Sequence, residues 1–564
     1  MIRSTCDEAE RSTTREESQD AEHSLNSRAL AFSQIPHTTR LFLDFLEYAP
    51  PVPPFFPHSI DFNAWVRDEA KAIRYPQDRR EQVCAVLDRQ NREWGASPKT
   101  LANIDRLRKG AMTVVTGQQV GLFGGPAFCL YKALTAVKLA EQASSAGVDA
   151  VPIFWLATYD HDLAEVNHVS IPGQDGLLQT LTTTTHGIED SPVGALKFGG
   201  EITELVEQAA LLLGETQATE WLRSSYRRGE TLGTAFARLY AQMFAEWGVI
   251  VLDVLDPELH RIASPVYRAA VEKSEELASA LLARGKELES AGYHQQVKVT
   301  ESSVLVFALE NGARLPVHRR KRADKVEFVI GDSKSALSGD ELLSQISSEP
   351  ERFTPNVLLR PVVQDYVLPT LTYVGGSAEV AYFAQCSVLY SILAGRVTPI
   401  VPRFSATLLE AKQQRMLEKK NLSLADIFEG PEALRWRVSA KSLPVELLSA
   451  FDTASASMAD HMAAIKEKIA LLDPTLVDAV QTAASKTQYQ LEKLKAQAAR
   501  AEAQKTELIG RYVESLSQLL YPNKGLQERT LGAIYFVARY GPELLRRIYD
   551  LIPTNNLEHQ IVEL

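Results

Sequence analysis

The segment Thr113–Ala143, TVVTGQQVGLFGGPAFCLYKALTAVKLAEQA, decides the fold. An apolar run, Thr113-Val114-Val115, enters a turn that carries Gly117, Gly121, Gly124 and Gly125. Pro126 then opens an apolar pattern at helical spacing. The spacing predicts a strand over Met112–Thr116, a glycine-rich turn and a helix over Pro126–Ser144. Glycines let backbone N–H groups approach an anion, and a helix N-terminus adds about half a positive charge. The turn Gly117–Gly125 is therefore a candidate phosphate or carboxylate cradle. Its spacing is neither G-x-G-x-x-G nor a P-loop, so glycines that merely allow a tight turn are an equal reading.

Working outward, VDAVPIFWLATYD is a continuous apolar run without alternation, the pattern of a strand covered on both faces. It completes a βαβ unit. WGVIVLDVLDPELH repeats the scheme, with Val249–Leu252 as strand, Asp256 as N-cap and Pro257 as first helical residue. A later unit runs from strand Leu371–Val374 through Gly375-Gly376 into a helix over Ala378–Leu393 and a strand over Thr398–Val401. Such alternation predicts an α/β fold, a Rossmann-like parallel-sheet core occupying 29–179, 229–291 and 351–410. Residues 180–228 read as a small insertion. Residues 292–350 read as a β-rich one, with Asn311-Gly312 as its hairpin turn. From Val477 the chain changes character: Val477, Val480, Ala484, Thr487, Leu491, Leu494, Ala498, Ala501, Leu508 and Tyr512 recur in steps of three and four, broken only at Lys505. That stripe predicts one helix up to Leu520, roughly 65 Å long, in an antiparallel coiled-coil domain over 411–520. A helix over Ala454–Leu472 packs back on it, or another subunit does. Residues 521–564 return to the core.

The chain has 564 residues, 45% apolar and 23% charged, with a net charge of −11. That balance argues against a general nucleic-acid partner. No apolar run approaches the roughly 20 residues that span a bilayer. The N-terminus, residues 1–28, is polar, without the apolar centre of a signal peptide, and reads as a disordered tail. The expected location is cytoplasmic. Cys6, Cys84, Cys129 and Cys386 form no C-x-x-C pair, so neither a disulfide framework nor a cysteine-rich zinc site is expected. Cys129, in the first turn of the helix, reads as buried filler.

In an open parallel sheet, ligands bind beyond the carboxyl ends of the strands. Thr116, Gly117, Gln118 and Gln119 fall at one such end. TYDHDLAEVNH crowds Asp160, His161, Asp162, Asn167 and His168 at the next. Carboxylates beside imidazoles serve as general acid and base or hold a divalent metal, with helix capping as the structural alternative for the aspartates. A third group is Arg360 and Gln364, then Tyr373, Gly375, Gly376 and Glu379 around the third strand tip. Arg360 suits a carboxylate. Tyr293, His294 and Gln296 read as structural, and DSKSA around Lys334 as a chance likeness to a synthetase lysine signature.

Six blocks in order, TGQQVGLFGGPAFCLYKA, PIFWLATYDHDLAEVNHV, GYHQQVKV, PNVLLRPVVQDYVLPTLTYVGGSAEVAYFAQ, TPIVPRFSATLLE and LYPNKGLQERTLGAIYFVARYGPELL, resemble the bacillithiol-biosynthesis cysteine-adding enzymes, the BshC family. The resemblance runs from Phe32 to Leu564. It implies a Rossmann-like core of the nucleotidyltransferase type and a homodimer formed through the coiled coil. It implies a ligase that joins cysteine to glucosaminyl-malate through an amide. Its TGQQ and DHD segments map onto Thr116–Gln119 and Asp160–Asp162, and its Gly-Gly segment onto Gly375–Glu379. Amide formation needs an activated carboxyl, which brings in ATP and Mg²⁺ as candidate cofactors, with Asp160 and Asp162 as candidate ligands. The synthetase-type H-x-G-H is missing where GPAF stands, which leaves the use of ATP open. Two alternatives stay beside this reading: a non-catalytic dimeric scaffold that binds a nucleotide or thiol metabolite, and a ligase of the same type for another amino sugar.

Overall fold

The computed structural model describes residues 25–322, 325–440, 445–505, 507–553 and 557–564. The expected tail lies outside the described residues up to residue 24. Its last part departs from expectation: Asn26–Leu30 is a strand, paired antiparallel with His559–Glu563.

The core is a five-stranded sheet, parallel throughout. Its strands in chain order are β1 (Met112–Gln118), β2 (Ala150–Leu156), β3 (Ile250–Asp253), β4 (Thr370–Gly375) and β5 (Ile400–Pro402). Their spatial order is β5-β4-β1-β2-β3, so the order reverses between β1 and β4. Helix α1 (Ala127–Ser145) joins β1 to β2, with Pro126 as its N-cap. β2 is buried along its whole length, which is why its sequence shows no alternation. Asp256 caps the helix Pro257–Glu272, accepting from the Glu258 N–H at 3.0 Å.

The edge at β3 is closed by side chains rather than by another strand. Asn91 Oδ1 accepts from the Val251 N–H at 3.1 Å, and Asn91 Nδ2 donates to the Val251 carbonyl at 2.8 Å. Gln90 makes the same pair with the Asp253 backbone, at 3.1 and 2.9 Å. Two amides thus imitate a sixth strand and block edge pairing.

The β-rich insertion is built on Ser303–Glu310 and Ala313–Arg322, joined by Asn311 and Gly312, both at positive φ. The third strand, Lys325–Ile330, pairs with Ala313–Arg322. Helix α2 (Arg360–Val367) returns the chain to β4, and α3 (Ser377–Leu393) follows β4. Beyond β5, Val445–Leu472 and Val477–Lys505 form an antiparallel helical hairpin, tied by Lys466 to Gln481 (3.1 Å) and Ser455 to Gln488 (3.1 Å). Glu507–Leu520 carries the chain on to the globular body. Along the expected seam, Val480 is buried and Thr487 and Leu491 half-buried, but Leu494 is 54% exposed. Within one chain the partner helix does not reach it. The side chains of Ala501 and Leu508 lie outside the described residues.

Candidate active site

A cavity of about 650 Å³ opens beyond the carboxyl ends of β1 and β4, at the point where the strand order reverses. Gly117, Gln118 and Gln119 from the β1 tip line one side, Tyr373, Gly376 and Glu379 the other, with Asp160 and Arg360 between. The β-rich insertion supplies the outer wall through Ser303–Phe307 and Pro316–His318.

At the floor stands an ionic network. Lys132, from α1, is buried and donates to the Gly117 carbonyl (2.7 Å) and Gln118 Oε1 (2.9 Å), and pairs with Glu379 Oε2 at 2.5 Å. Glu379 also accepts from the Tyr373 hydroxyl (2.6 Å) and the Gly376 N–H (2.7 Å). Burial pushes its carboxyl up, but the Lys132 ammonium and these hydrogen bonds outweigh it, and the net shift is downward. Burial also draws the Lys132 ammonium down against the pull of Glu379, so the close contact between them is what holds the two charges at this depth. Behind it, Arg360 lies over the Tyr373 ring, 5.0 Å from its centroid, and donates to the Tyr382 hydroxyl (2.6 Å) and Gln364 Oε1 (3.1 Å). Burial raises the Tyr373 and Tyr382 phenols well above their usual range, so both remain donors.

Asp160 sits across the cavity. Its Oδ2 accepts from Gln119 Nε2 (2.7 Å) and its Oδ1 from the His161 N–H (2.8 Å). The His161 ring faces Arg314, whose Nη1 lies 3.1 Å from His161 Nδ1. Arg314 is anchored by Thr354 Oγ1 (2.9 Å) and the Pro355 carbonyl (2.9 Å), and lies 3.9 Å over Phe307. An arginine only donates, so His161 Nδ1 is the acceptor and its hydrogen belongs on Nε2.

Several expected residues stand elsewhere. Asp162 caps the short helix Leu163–Val166, accepting from the Glu165 N–H at 3.3 Å, which is the capping alternative. Asn167 and His168 bond to each other at 3.3 Å away from the cavity. Thr116 ties β1 to the Val374 carbonyl at 2.9 Å, and Gln364 serves Arg360. Gly375 lines a neighbouring cavity of about 260 Å³, which shares Gly376, Ser377, Arg403 and Arg529 with the larger one.

The glycine turn does not form the expected cradle. The N–H of Gly121 goes to the Gln119 carbonyl, that of Gly124 to the Gly121 carbonyl and the Tyr226 hydroxyl, and that of Gly125 to the Leu122 carbonyl. Its glycines serve packing instead: a Cβ on Gly121 would stand 2.8 Å from the Gly125 Cα. The donor set for Mg²⁺ fits no better, because Asp162 turns away and Asp160 is engaged by Gln119 and His161. Among the described residues no group of three or more His, Cys, Asp or Glu converges to hold a metal. Cys129 is buried, and burial pushes its thiol up to about 12, so it is filler.

Sequence reasoning missed Lys132, Arg314, Arg403 and Arg529, all of which line the cavity. Lys132 had a signal, one of two cations in a largely apolar helix. The others depend on contacts distant in sequence. Arg403 is bound to the buried Glu528 at 2.5 Å, while Arg529 is exposed beside Phe128. Among the described residues, Lys132, Lys298, Arg314, Arg360, Arg403 and Arg529 line the cavity against two carboxylates, Asp160 and Glu379. The cavity carries excess positive charge.

Comparison with known proteins agrees with this architecture. Residues 28–404 match the model of the BshC N-terminal Rossmann-like domain of bacillithiol biosynthesis, and residues 406–564 that of its C-terminal coiled-coil domain. The chain belongs to the BshC family. A BshC protein of Koribacter versatilis, named as a candidate cysteine ligase, is 46% identical over 94% of this chain and 99% of its own. BshC of Solibacter usitatus, named likewise, is 36% identical over 94% and 98%. BshC of Geobacillus kaustophilus is 29% identical over the same shares. The chain is thus a ligase of bacillithiol biosynthesis. No helix among the described residues is long and apolar enough to cross a membrane.

Proposed function

We propose that the cavity joins the carboxyl carbon of cysteine to the amino nitrogen of glucosaminyl-malate, the amide-forming step of bacillithiol biosynthesis. The observation that carries this reading is the excess of cations over carboxylates in a single crevice, where, among the described residues, Asp160 is the carboxylate without a bound lysine or arginine partner. Malate brings two carboxylates, which suit Arg360 and Arg529. The amine suits Asp160, which accepts a proton as the nitrogen attacks. In that step, on a cysteine carboxyl first activated as an acyl-phosphate or acyl-adenylate by a nucleoside triphosphate, the C–N bond forms, the phosphate or nucleotide leaves with the C–O electron pair, and the amine loses a proton to Asp160. Arg314 positions His161, whose Nε2–H is a donor rather than a base.

The test is the low-molecular-weight thiol profile of the source cell, by mass spectrometry. Loss of bacillithiol and accumulation of glucosaminyl-malate on deletion, restored by wild type and not by Asp160→Ala, supports the reading. An unchanged profile refutes it, provided no second copy of the gene is present. Asp160→Ala that fully complements removes Asp160 from the reaction and favours a scaffold role.

The homodimer belongs to the same proposal. Leu471, Leu472, Tyr489 and Leu494 are exposed on the helical hairpin by 83%, 82%, 64% and 54%. Burying these apolar side chains against a second copy covers surface that one chain leaves exposed, with Leu494 on the heptad seam itself.

A further inference from the structure

The sequence PVHRRKRADKVE concentrates cations in a chain whose net charge is −11. The strands Ala313–Arg322 and Lys325–Ile330 pair with His318 opposite Val329, Arg320 opposite Glu327 and Arg322 opposite Lys325. Alternation along a strand puts His318, Arg320, Arg322 and Lys325 on one face, all of them exposed. Arg319 points the other way and is spent on Glu275, at 2.9 Å. The face starts at the cavity, because His318 lines its wall, with Lys298 also at the rim. From His318, Arg320 and Arg322 continue outward at about 7 Å per two residues. Among the described residues of this face, Glu327 is the one acidic side chain.

We propose that this basic face is an electrostatic guide that draws a small dicarboxylate-bearing substrate from solution to the cavity mouth. It rests on the reading above, in which that substrate is glucosaminyl-malate. Local charge of one sign beside a cleft raises association rates by about 10- to 1,000-fold and loses that effect as salt screens it. Screening matters here because the Debye length falls from about 30 Å at 0.01 M to about 8 Å at 0.15 M salt, comparable with the reach of the hairpin. The guide acts on arrival alone. It touches neither the bound substrate nor the reacting atoms.

The experiment is stopped-flow binding of glucosaminyl-malate to the full chain, read from the fluorescence of Trp155 in the cavity wall. Wild type should show an association rate constant that falls with rising salt. Arg320→Glu/Arg322→Glu should lower that constant about tenfold at 0.01 M salt, flatten its salt dependence and leave the dissociation rate unchanged. Lys486→Glu/Lys493→Glu, on exposed positions of the helical hairpin, changes net charge equally and should leave association as in wild type. Binding with an unchanged salt slope in the Arg320/Arg322 variant overturns the guide and leaves the proposed substrate standing. An equal loss in the hairpin control also overturns it, since net charge would then be the cause. A wild-type chain that does not bind glucosaminyl-malate overturns the substrate and the guide together.

Discussion

Lys132→Met tests whether the cavity floor is an ion pair or a set of independent contacts. The substitution keeps a linear apolar stem of similar length and removes the ammonium from Glu379 (2.5 Å), the Gly117 carbonyl and Gln118 Oε1. Removing one member of a buried pair costs about 3–5 kcal/mol, because the remaining charge stays buried. Glu379 keeps the Tyr373 hydroxyl and the Gly376 N–H, which places the cost near the low end, about 3 kcal/mol. Glu379→Gln alone keeps one acceptor oxygen where the carboxylate offers Oε1 to the Tyr373 hydroxyl and Oε2 to the Gly376 N–H, and it strands the ammonium, for about 3 kcal/mol. In the double variant Lys132→Met/Glu379→Gln no charge is stranded, so its cost should undercut the sum of the singles by about 2 kcal/mol. Urea unfolding of all four proteins, followed by tryptophan fluorescence, gives that coupling. A Lys132→Met cost below about 1 kcal/mol, or additivity within about 0.5 kcal/mol, would refute the argument.

Asp160→Ala should abolish bacillithiol in the complemented cell while leaving Tm within about 2 °C of wild type, since the side chain is one-third exposed and its hydrogen bonds are to the His161 N–H and a single side chain, Gln119. Burial pushes the His559 and His260 rings down to about 4, against about 6.5 when unfolded, so the unfolded chain binds more protons between those values. Stability should therefore be flat above pH 6.5 and fall as pH drops from 6.5 to 4, by up to about 3 kcal/mol per ring; His559→Gln should reduce that slope in urea titrations at pH 7 and pH 4.5. Gly121→Ala should cost about 2 kcal/mol or more, because its Cβ would meet the Gly125 Cα at 2.8 Å; a neutral outcome in thermal unfolding would show that the turn can give way. Tyr489→Asp/Leu494→Asp should shift sedimentation toward the monomer without lowering the Tm of the core, and an unchanged sedimentation coefficient would count against the hairpin as the dimer contact.

The parallel sheet was legible because parallel strands are buried on both faces, and Ala150–Leu156 shows that in seven consecutive residues. The position of the cavity was legible for the same reason: strand, helix, strand in sequence brings the carboxyl ends of β1 and β2 together, and a Gly-Gly turn marked the end of β4. Donors were harder to place. A glycine-rich turn before a helix predicts available N–H groups only if nothing within the protein takes them. Here Tyr226, over a hundred residues away, takes the Gly124 N–H. The DHD segment split along a similar line. Local chain geometry turned Asp162 back onto its own helix, while Asp160 remained in the cavity.

The charges that define the site came from segments far apart in the chain. Arg314 stands on the insertion, 153 residues from the histidine it orients, and Arg529 follows the coiled coil. Neither lies in a segment whose local pattern separates it from a solvated surface arginine. What makes Arg314 different is its surroundings: Thr354, the Pro355 carbonyl and Phe307 hold the guanidinium in place, so its reach to His161 is fixed by the hairpin rather than by the side chain's own preferences. The insertion therefore sets the tautomer of His161, which stands next to Asp160 and itself lies outside the cavity lining, besides walling the cavity. Arg314→Lys tests that coupling, since lysine keeps the charge but cannot hold Thr354, Pro355 and His161 at once. Bacillithiol should fall by about tenfold or more in the complemented cell with Tm lowered by only a few degrees. Full activity from the lysine variant would mean that charge near Asp160, and not the orientation of His161, is what the insertion supplies.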